Sequence, residues 1–148
     1  MRIVLDTDAI MPTRAHENDA GFDLYSREDK VVPAGGSATF DTGVHIALEK
    51  IYLFGLAGLK DYKTAGFLKS KSGLNVKHGI TGEGVIDMGY TGSIVVKLYN
   101  SSDKDYTVRK GDKISQLVIL PVLTPDLERV EELKGTDRGD NGFGSTGR

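Results

Sequence analysis

The stretch GEGVIDMGYTG, residues 82–92, combines a carboxylate with several glycines and an aromatic side chain, Tyr90. Asp87 follows the apolar pair Val85 and Ile86, an order that would hold its carboxylate against an apolar surface, as in a general base. The glycines leave backbone N–H and C=O groups open to a partner such as the edge of a base. Aspartate is also common in ordinary turns, because it bonds its own backbone. Asp87 is therefore a candidate base or a turn residue near the tip of a hairpin.

The stretch KSKSGLN, residues 69–75, places a hydroxyl and two positive charges together. Ser72 stands where a helix N-cap would be, so its hydroxyl and the amides behind it would point outward together. Lys69 and Lys71 add positive charge there, and such a helix start is suited to phosphate. An ordinary capped helix over residues 72–79 explains the same residues equally well.

Two further polar residues are surrounded by apolar ones. Asp23 lies between Phe22 and Leu24, an alternation that is typical of the polar face of a strand. Gln116 stands at the entrance of the apolar run 114–122, where its amide requires hydrogen-bond partners. Either backbone groups or a ligand could supply these partners.

The chain closes with RGDNGFGSTGR, residues 138–148, which is too rich in glycine to fold by itself. Most tails of this composition are disordered. A lone phenylalanine, Phe143, is nevertheless unusual in a solvated tail, and Gly-Ser-Thr-Gly could wrap backbone donors around an anion. The tail is therefore either a disordered terminus or a segment that closes over a ligand.

The composition excludes several classes of protein. In the 148 residues, 19 lysines and arginines nearly balance 21 aspartates and glutamates, so no global field attracts nucleic acid or anionic membranes. The absence of cysteine excludes disulfides and thiol chemistry. No stretch has the length and hydropathy of a signal peptide or a membrane span. We therefore expect one soluble, cytoplasmic domain that binds neither nucleic acid nor membranes.

The apolar periodicity is that of β-strands. Residues 38–48 and 92–100 alternate apolar and polar side chains, with a glycine-containing turn inside the first segment. Residues 114–122 are almost continuously apolar, so we expect this strand to be buried on both faces. Turn signals recur about every ten residues, the rhythm of an antiparallel sandwich or barrel. Residues 125–135 favour a helix by propensity, although a strand is also possible there.

Five motifs follow one another in a specific order: DAGFDLYS, KSKSGL, GVIDMGYTG, GDKISQLV and RGDNGFGSTG. In this order they resemble the motifs of the trimeric dUTP pyrophosphatases, or dUTPases. The resemblance implies an all-β, jelly-roll-like sandwich or barrel, the β-clip of that family, assembled as a homotrimer with shared active sites. It also implies Mg²⁺-dependent hydrolysis of dUTP to dUMP and pyrophosphate. This reaction removes dUTP from the nucleotide pool and supplies dUMP for dTMP synthesis.

The resemblance also gives expected roles to residues around the base and the sugar. Asp87 would deprotonate the water that attacks the α-phosphate. Tyr90 would pack under the deoxyribose and leave no room for a 2′-hydroxyl. The backbone around Val85 and Ile86 would bond to the Watson–Crick edge of uracil.

Other motif residues would handle the phosphates. Lys71, Ser72 and Gly73 would hold the α- and β-phosphates, as the resemblance implies. Asp23 and Gln116 would contact water molecules on a Mg²⁺ ion that the phosphates chelate, and Gln116 also counts among the substrate-binding residues.

The resemblance further divides the chain into a β core domain, residues 1–137, and a flexible C-terminal lid, residues 138–148. Phe143 would stack on the uracil ring. The other substrate-binding residues of the lid would be Arg138, Gly144, Ser145 and Thr146.

In the family each site takes its phosphate-binding motifs, its hairpin and its tail from three different chains, so the resemblance implies a homotrimer. It also implies a strand over residues 125–134 that reaches a neighbouring subunit. Two alternatives stay open. A dCTP deaminase on the same fold would need Glu83 as its proton shuttle, and a phage-type dUTPase would also bind a regulatory protein.

Overall fold

The computed structural model describes residues 1–55, 58–136 and 139. Within these ranges the chain forms eleven strands and one short helix. In chain order the elements are β1 (Arg2–Leu5), β2 (Gly21–Tyr25), β3 (Lys30–Val32), β4 (Ser37–Ala47), β5 (Ile51–Gly55), β6 (Gly58–Lys69), α1 (Ser72–His78), β7 (Ile80–Thr81), β8 (Gly84–Ile86), β9 (Ser93–Asn100), β10 (Tyr106–Val108) and β11 (Lys113–Val122).

Two antiparallel sheets share one apolar core. The first sheet has the order β1-β4-β9-β7, and the second has the order β2-β11-β6-β5 with β8 also paired to β6. Strands β10 and β3 form a separate short pair. Phe40 and Ile94 of the first sheet and Leu24 and Leu117 of the second are almost completely buried in the core. The all-β sandwich that the sequence predicts is therefore confirmed.

The two strands predicted from alternation are present as β4 and β9. Their inward side chains, Phe40 and Ile94 among them, are buried as expected. The glycine-containing turn predicted inside residues 38–48 is wrong, because β4 continues through it as a bulge, with a register shift between Asp41 and His45. Gly43 adopts a left-handed φ of 64° at the bulge, and a Cβ there would lie 2.5 Å from a guanidinium nitrogen of Arg27.

The prediction that residues 114–122 are buried on both faces is correct only for the first half of β11. Ile114, Ser115 and Leu117 are buried, whereas Leu120 is 46% exposed. The second half of β11 pairs with β6 down to Lys63 but lies beyond the end of its pairing with β2. The side chains of this second half are therefore covered less completely by the rest of the chain.

The segment around Asp87 is not the predicted hairpin. β7 pairs with β9 of the first sheet, and β8 pairs with β6 of the second, so the segment crosses from one sheet to the other. Gly82 lies at this crossing, where a Cβ would stand only 2.7 Å from the carbonyl oxygen of Lys97. The absence of a side chain at Gly82 therefore allows the backbone to pass close to the neighbouring strand where the segment crosses between the sheets.

The predicted helix is confirmed as α1, but its start differs from the prediction. The N-cap residue is Lys71, without a side-chain cap, and Ser72 is the first helical residue. Gly79 ends the helix in the left-handed conformation with φ of 65°, and its N–H donates to the carbonyl of Asn75. No helix in the described part of the chain is long and apolar enough to cross a membrane.

Residues 123–136 form neither helix nor strand with the rest of the chain, so the helix favoured by propensity is wrong. All of these residues are exposed. The exposed set includes four large apolar side chains, Leu123 (79%), Leu127 (98%), Val130 (52%) and Leu133 (86%). A strand paired with a neighbouring subunit stays a prediction for this segment.

Candidate active site

A buried carboxylate with two lysines lies at one end of the second sheet. Asp23 of β2 is 2% exposed, and its two oxygens accept hydrogen bonds from Lys71 (2.6 Å) and Lys113 (2.8 Å). Burial opposes ionisation of Asp23, but the hydrogen bonds from Lys113 and Lys71 outweigh burial and hold the pKa of the carboxyl below its usual range. Two ammonium groups on one carboxylate leave a net positive charge at this place.

The sequence predicted only part of this cluster. The alternation around Asp23 suggested the polar face of a strand, whereas the carboxylate is buried under residues from β11 and from the start of α1. Lys113 was missed altogether. A signal existed, because an aspartate between two large apolar residues is either solvated or paired, and GDKISQ places a lysine at the start of an apolar run that could pair with the strand of Asp23.

Gln116 lies beside this cluster. The strand register places Asp23, Gln116 and Lys69 in one row across β2, β11 and β6. The amide nitrogen of Gln116 is 3.5 Å from an oxygen of Asp23, at the limit of a hydrogen bond. Lys69 continues the row by donating to both oxygens of Glu83, at 2.9 and 2.8 Å. Glu83 is thus engaged in an ion pair.

The first turn of α1 follows directly after Lys71. Ser72 and Gly73 are both exposed there, and nothing lies within 4 Å of a Cβ built on Gly73. Ser70 fixes the end of β6, because its hydroxyl accepts from the N–H of Gly82 at 3.0 Å and donates to the carbonyl of the same glycine at 3.2 Å. The predicted phosphate-binding residues Lys71, Ser72 and Gly73 are therefore together on one open surface.

Asp87 and Tyr90 form the two ends of a tight turn. The N–H of Tyr90 donates to the carbonyl of Asp87 at 3.0 Å, and Gly89 between them has a φ of 107°, which favours glycine. The Asp87 side chain is exposed, so the apolar wall predicted around its carboxylate is not formed by this chain alone. Of the two residues before it, Ile86 is buried and Val85 is 59% exposed.

The ring of Tyr90 has a defined position beside this turn. Its hydroxyl donates to the carbonyl of Ser93 at 3.0 Å. A Cβ added to Gly92 would stand 2.5 Å from that hydroxyl and 2.7 Å from the ring carbon that carries it. Only a glycine at position 92 allows the ring to lie there, and the ring is still 46% exposed to a ligand.

A polar network that the sequence did not suggest lies behind the turn. One ring nitrogen of His45, Nδ1, is 3.0 Å from the Thr91 carbonyl, and the other, Nε2, is 3.3 Å from Asp6. The hydroxyl of Ser93 donates to Asp41, and Asp6 also accepts from Arg27 at 2.9 Å. These residues are scattered along the chain, and only Thr91 belongs to one of the five motifs.

The two halves of the predicted site are far apart within one chain. Ile86 pairs with Gly66, so Asp87 lies at the level of Ala65, whereas Asp23 and Gln116 lie at the level of Lys69. The difference of four residues corresponds to about 13 Å along the strands, and β8 and β2 are separated by three strand spacings, about 14 Å. One chain therefore brings Asp23, Lys71 and Gln116 together but does not bring Asp87 to them.

The predicted lid residues Arg138, Phe143, Gly144, Ser145 and Thr146 lie outside the described residues. Within the described ranges no group of three or more histidine, aspartate or glutamate side chains is arranged to hold a metal ion. Both oxygens of Asp23 are engaged by lysines, so direct ligation of a metal by Asp23 would displace an ammonium group. Asp23 and its neighbours are therefore suited to contact a metal ion through water molecules rather than to ligate it directly.

Comparison with known proteins points to one family. The family model described as dUTPase matches residues 7–147. The deoxyuridine 5'-triphosphate nucleotidohydrolase of Clostridium acetobutylicum is 43% identical over 146 residues, which cover 97% of this chain and 92% of that protein. The enzyme of the same name from Arabidopsis thaliana is 42% identical over 144 residues, which cover 97% of this chain and 80% of that protein.

Solved structures agree with the sequence comparison. The dUTPase of Staphylococcus bacteriophage 80alpha, solved with dUPNHPP, superposes with a TM-score of 0.83 at 29% identity, covering 99% of this chain and 98% of that one. A mutant dUTPase of the S. aureus phage phi11, described as coordinating a structural Mg(II) ion, superposes with a TM-score of 0.73 at 28% identity. That match covers 90% of this chain and 98% of the phage protein.

Proposed function

This chain belongs to the dUTPase family, and we propose that it hydrolyses dUTP to dUMP and pyrophosphate with Asp87 as the base. Asp87 takes a proton from a water molecule whose oxygen bonds to the α-phosphorus. The bond from that phosphorus to the bridging oxygen of the β-phosphate breaks, and pyrophosphate leaves. The observation that carries this assignment is the cluster of Lys71 and Gln116 around the buried Asp23, which brings three separate motifs together at one cationic place.

The phosphates bind at this surface. Lys71 and Lys113 are held by the same buried carboxylate, so their charges are positioned before the substrate arrives. Ser72 and the open backbone at Gly73 add hydrogen-bond donors at the start of α1. Because the chain carries a net charge of only −2, this local arrangement rather than a global field attracts the triphosphate.

The base and the sugar bind near the Asp87 turn. Strand β8 pairs with β6 on one side only in the described part of the chain, which leaves backbone groups of Val85 and Ile86 for the Watson–Crick edge of uracil. The exposed ring of Tyr90 packs under the deoxyribose. A 2′-hydroxyl would meet this ring, and for that reason UTP is a poor substrate.

A Mg²⁺ ion, when bound, neutralises charge on the phosphates that chelate it. Gln116 and Asp23 would hold such an ion through water molecules, which agrees with an Asp23 carboxylate whose oxygens are already engaged by lysines. The tail, residues 138–148, closes over the nucleotide as a lid. In this lid Phe143 stacks on uracil, and Arg138, Gly144, Ser145 and Thr146 bind the γ-phosphate end.

Three copies of the chain assemble into a trimer with shared sites. The separation of Asp87 from the cationic surface within one chain supports this proposal, because a complete site then requires a second chain. The exposed apolar side chains of residues 123–136 also support it, since Leu123, Leu127 and Leu133 would be covered by a neighbour. We expect the enzyme in the cytoplasm, and a regulatory protein partner stays an untested prediction.

The direct test is to incubate the protein separately with dUTP, dTTP, dCTP and UTP, each with Mg²⁺, and to separate the products. We expect dUMP and pyrophosphate from dUTP and little reaction with the others. The Asp87→Asn variant should bind a non-hydrolysable dUTP analogue within a few-fold of the wild type and turn over about 10²–10⁴-fold more slowly. Asp103→Asn, at an exposed loop position, is the matched control. Release of dUTP from dCTP would instead identify a deaminase, although Glu83 is engaged with Lys69.

A further inference from the structure

Among the described residues, the loop that carries Asp87 and Tyr90 is attached to the rest of the chain by Met88, which packs against the apolar core, and by a few hydrogen bonds. Two of its hydrogen bonds are internal, from Tyr90 N–H to Asp87 and from the Tyr90 hydroxyl to Ser93. At its far end, the hydroxyl of Ser93 donates to Asp41. Between these points, the Thr91 carbonyl is bonded to His45 of β4 at 3.0 Å. Met88 thus holds the Asp87 side of the loop, and the hydrogen bond of His45 holds the loop at Thr91, directly after Tyr90.

The chemistry of its two partners determines the state of His45. A backbone carbonyl can only accept, so Nδ1 must carry a proton towards Thr91. An ionised carboxylate can also only accept, so Nε2 must carry a proton towards Asp6. Both contacts are satisfied together only by the imidazolium form. The neutral ring would turn a lone pair towards either the carbonyl or the carboxylate.

We propose that His45 is a positioning residue of the reaction, whose imidazolium joins the Thr91 carbonyl to the Asp6 carboxylate and so fixes the loop bearing Tyr90 and Asp87. The proposal rests on the function proposed above, because Tyr90 is taken as the surface under the deoxyribose. His45 itself touches neither substrate nor the attacking water. Its effect reaches the substrate through the position of the Tyr90 ring.

The charges around His45 favour the imidazolium. Two carboxylates act on His45, Asp41 of β4 and Asp6 of the segment after β1. Two cations lie nearby: Arg27 is paired with Asp6 (2.9 Å), Asp8 (2.7 Å) and Asp41 (3.8 Å), and Arg2 is paired with Glu49 (3.3 Å). Arg2 of β1 lines the same cleft of about 420 Å³, and β9 contributes only the uncharged Ser93 opposite His45.

The balance of these groups raises the pKa of His45 above its usual value, first through the hydrogen bond with the Thr91 carbonyl and then through Asp6. Because the folded pKa is raised, the anchor is fully present below the ordinary histidine pKa of about 6.5 and is lost as the pH rises through the folded value. Deoxyribose selectivity should therefore decline on the alkaline side.

The test compares the ratio of kcat/KM for dUTP and UTP across pH in three proteins. We expect the wild-type ratio to fall as the pH rises through the pKa of His45. In His45→Asn the side-chain amide does not titrate and can donate to Thr91 without also bonding Asp6, so the ratio should be flat across pH and lie between the low-pH wild-type ratio and that of His45→Leu. In His45→Leu it should be about threefold to tenfold lower and flat, the loss of one hydrogen bond. His16→Leu and His16→Asn, at an exposed histidine, are the matched controls.

A readout without nucleotide separates this proposal from the assignment of dUTP hydrolysis. In NMR spectra of the free protein, the backbone amides of Thr91 and Gly92 should titrate with the same midpoint as the His45 ring. A protein that fails to hydrolyse dUTP but shows this common midpoint would overturn the function and support the anchor. Wild-type selectivity in His45→Leu at every pH, or loop amides indifferent to His45, would overturn the positioning role.

Discussion

The ammonium nitrogen of Lys71 lies 2.6 Å from a carboxylate oxygen of Asp23, which is 2% exposed, and Lys113 occupies the other oxygen at 2.8 Å. A single buried anion thus orders two cations that belong to distant parts of the chain. The arrangement holds positive charge in place for a polyanion, so that little side-chain reorganisation is needed when the triphosphate binds.

Asp23→Asn should weaken the binding of the triphosphate by releasing both lysines. We expect KM for dUTP to rise about tenfold and the free energy of unfolding at neutral pH to fall by about 1–3 kcal/mol. Isothermal titration with a dUTP analogue and chemical denaturation measure the two effects. Asp29→Asn is the control, since Asp29 forms an exposed pair with Arg109. Unchanged affinity would mean that the lysines are ordered without Asp23.

The stability of the wild type should depend on pH through the same carboxylate. The pKa of Asp23 is lower in the folded protein than its ordinary value of 3.8. Its contribution to the free energy of unfolding is therefore fully present above about pH 4 and is lost as the pH falls through the folded pKa. Denaturation curves from pH 6 down should show this loss in the wild type, and the loss should be smaller in Asp23→Asn. Parallel curves for the two proteins would contradict the assignment.

Gly92→Ala should alter sugar selectivity although position 92 does not touch the substrate. A Cβ there would lie 2.5 Å from the Tyr90 hydroxyl, so the ring must move. We expect the preference for dUTP over UTP to fall, in the same direction as in Tyr90→Ala, with the overall fold retained. Gly135→Ala, where nothing lies within 4 Å of the added Cβ, is the control. If Tyr90→Ala kept the full preference, the discrimination would have to come from another residue.

Truncation after Asp137 should abolish most turnover without unfolding the protein. In the described part of the chain, the buried core cluster runs from Leu24 to Leu117, so we expect the sandwich to form without the removed segment. We expect an unchanged circular dichroism spectrum, weaker but measurable binding of a dUTP analogue, and a near-complete loss of kcat. Substantial activity in the truncated protein would exclude a lid role for residues 138–148.

The sequence predicted the features of the fold and the site that depend on local residue patterns and on the order of the motifs. The alternation of β4 and β9, the glycine that ends α1 and the family itself could all be read directly. The pairing of Asp23 with Lys71 and Lys113 could not, because it depends on which strands become neighbours. The same holds for His45 and Thr91, which are 46 residues apart in the chain. Residues 82–92 looked like a hairpin with Asp87 near its tip because the glycine needed for a crossing between sheets, Gly82, resembles a turn glycine.

The central claim is that dUTP is hydrolysed at sites that combine Asp87 of one chain with the Lys71 cluster of another. It is tested by refolding a Lys71→Ala chain with an Asp87→Asn chain, each nearly inactive alone, and measuring dUTP turnover. In a symmetric trimer mixed at random, about a quarter of the sites would receive both native residues. As a control, wild-type chains are mixed in equal amounts with chains that carry both Lys71→Ala and Asp87→Asn. If sites are shared between chains, about a quarter of the sites should again be complete. If each site lay within one chain, about half of the sites would be complete. The account predicts recovery to about a quarter of wild-type activity, and activity at background in verified mixed trimers would contradict it.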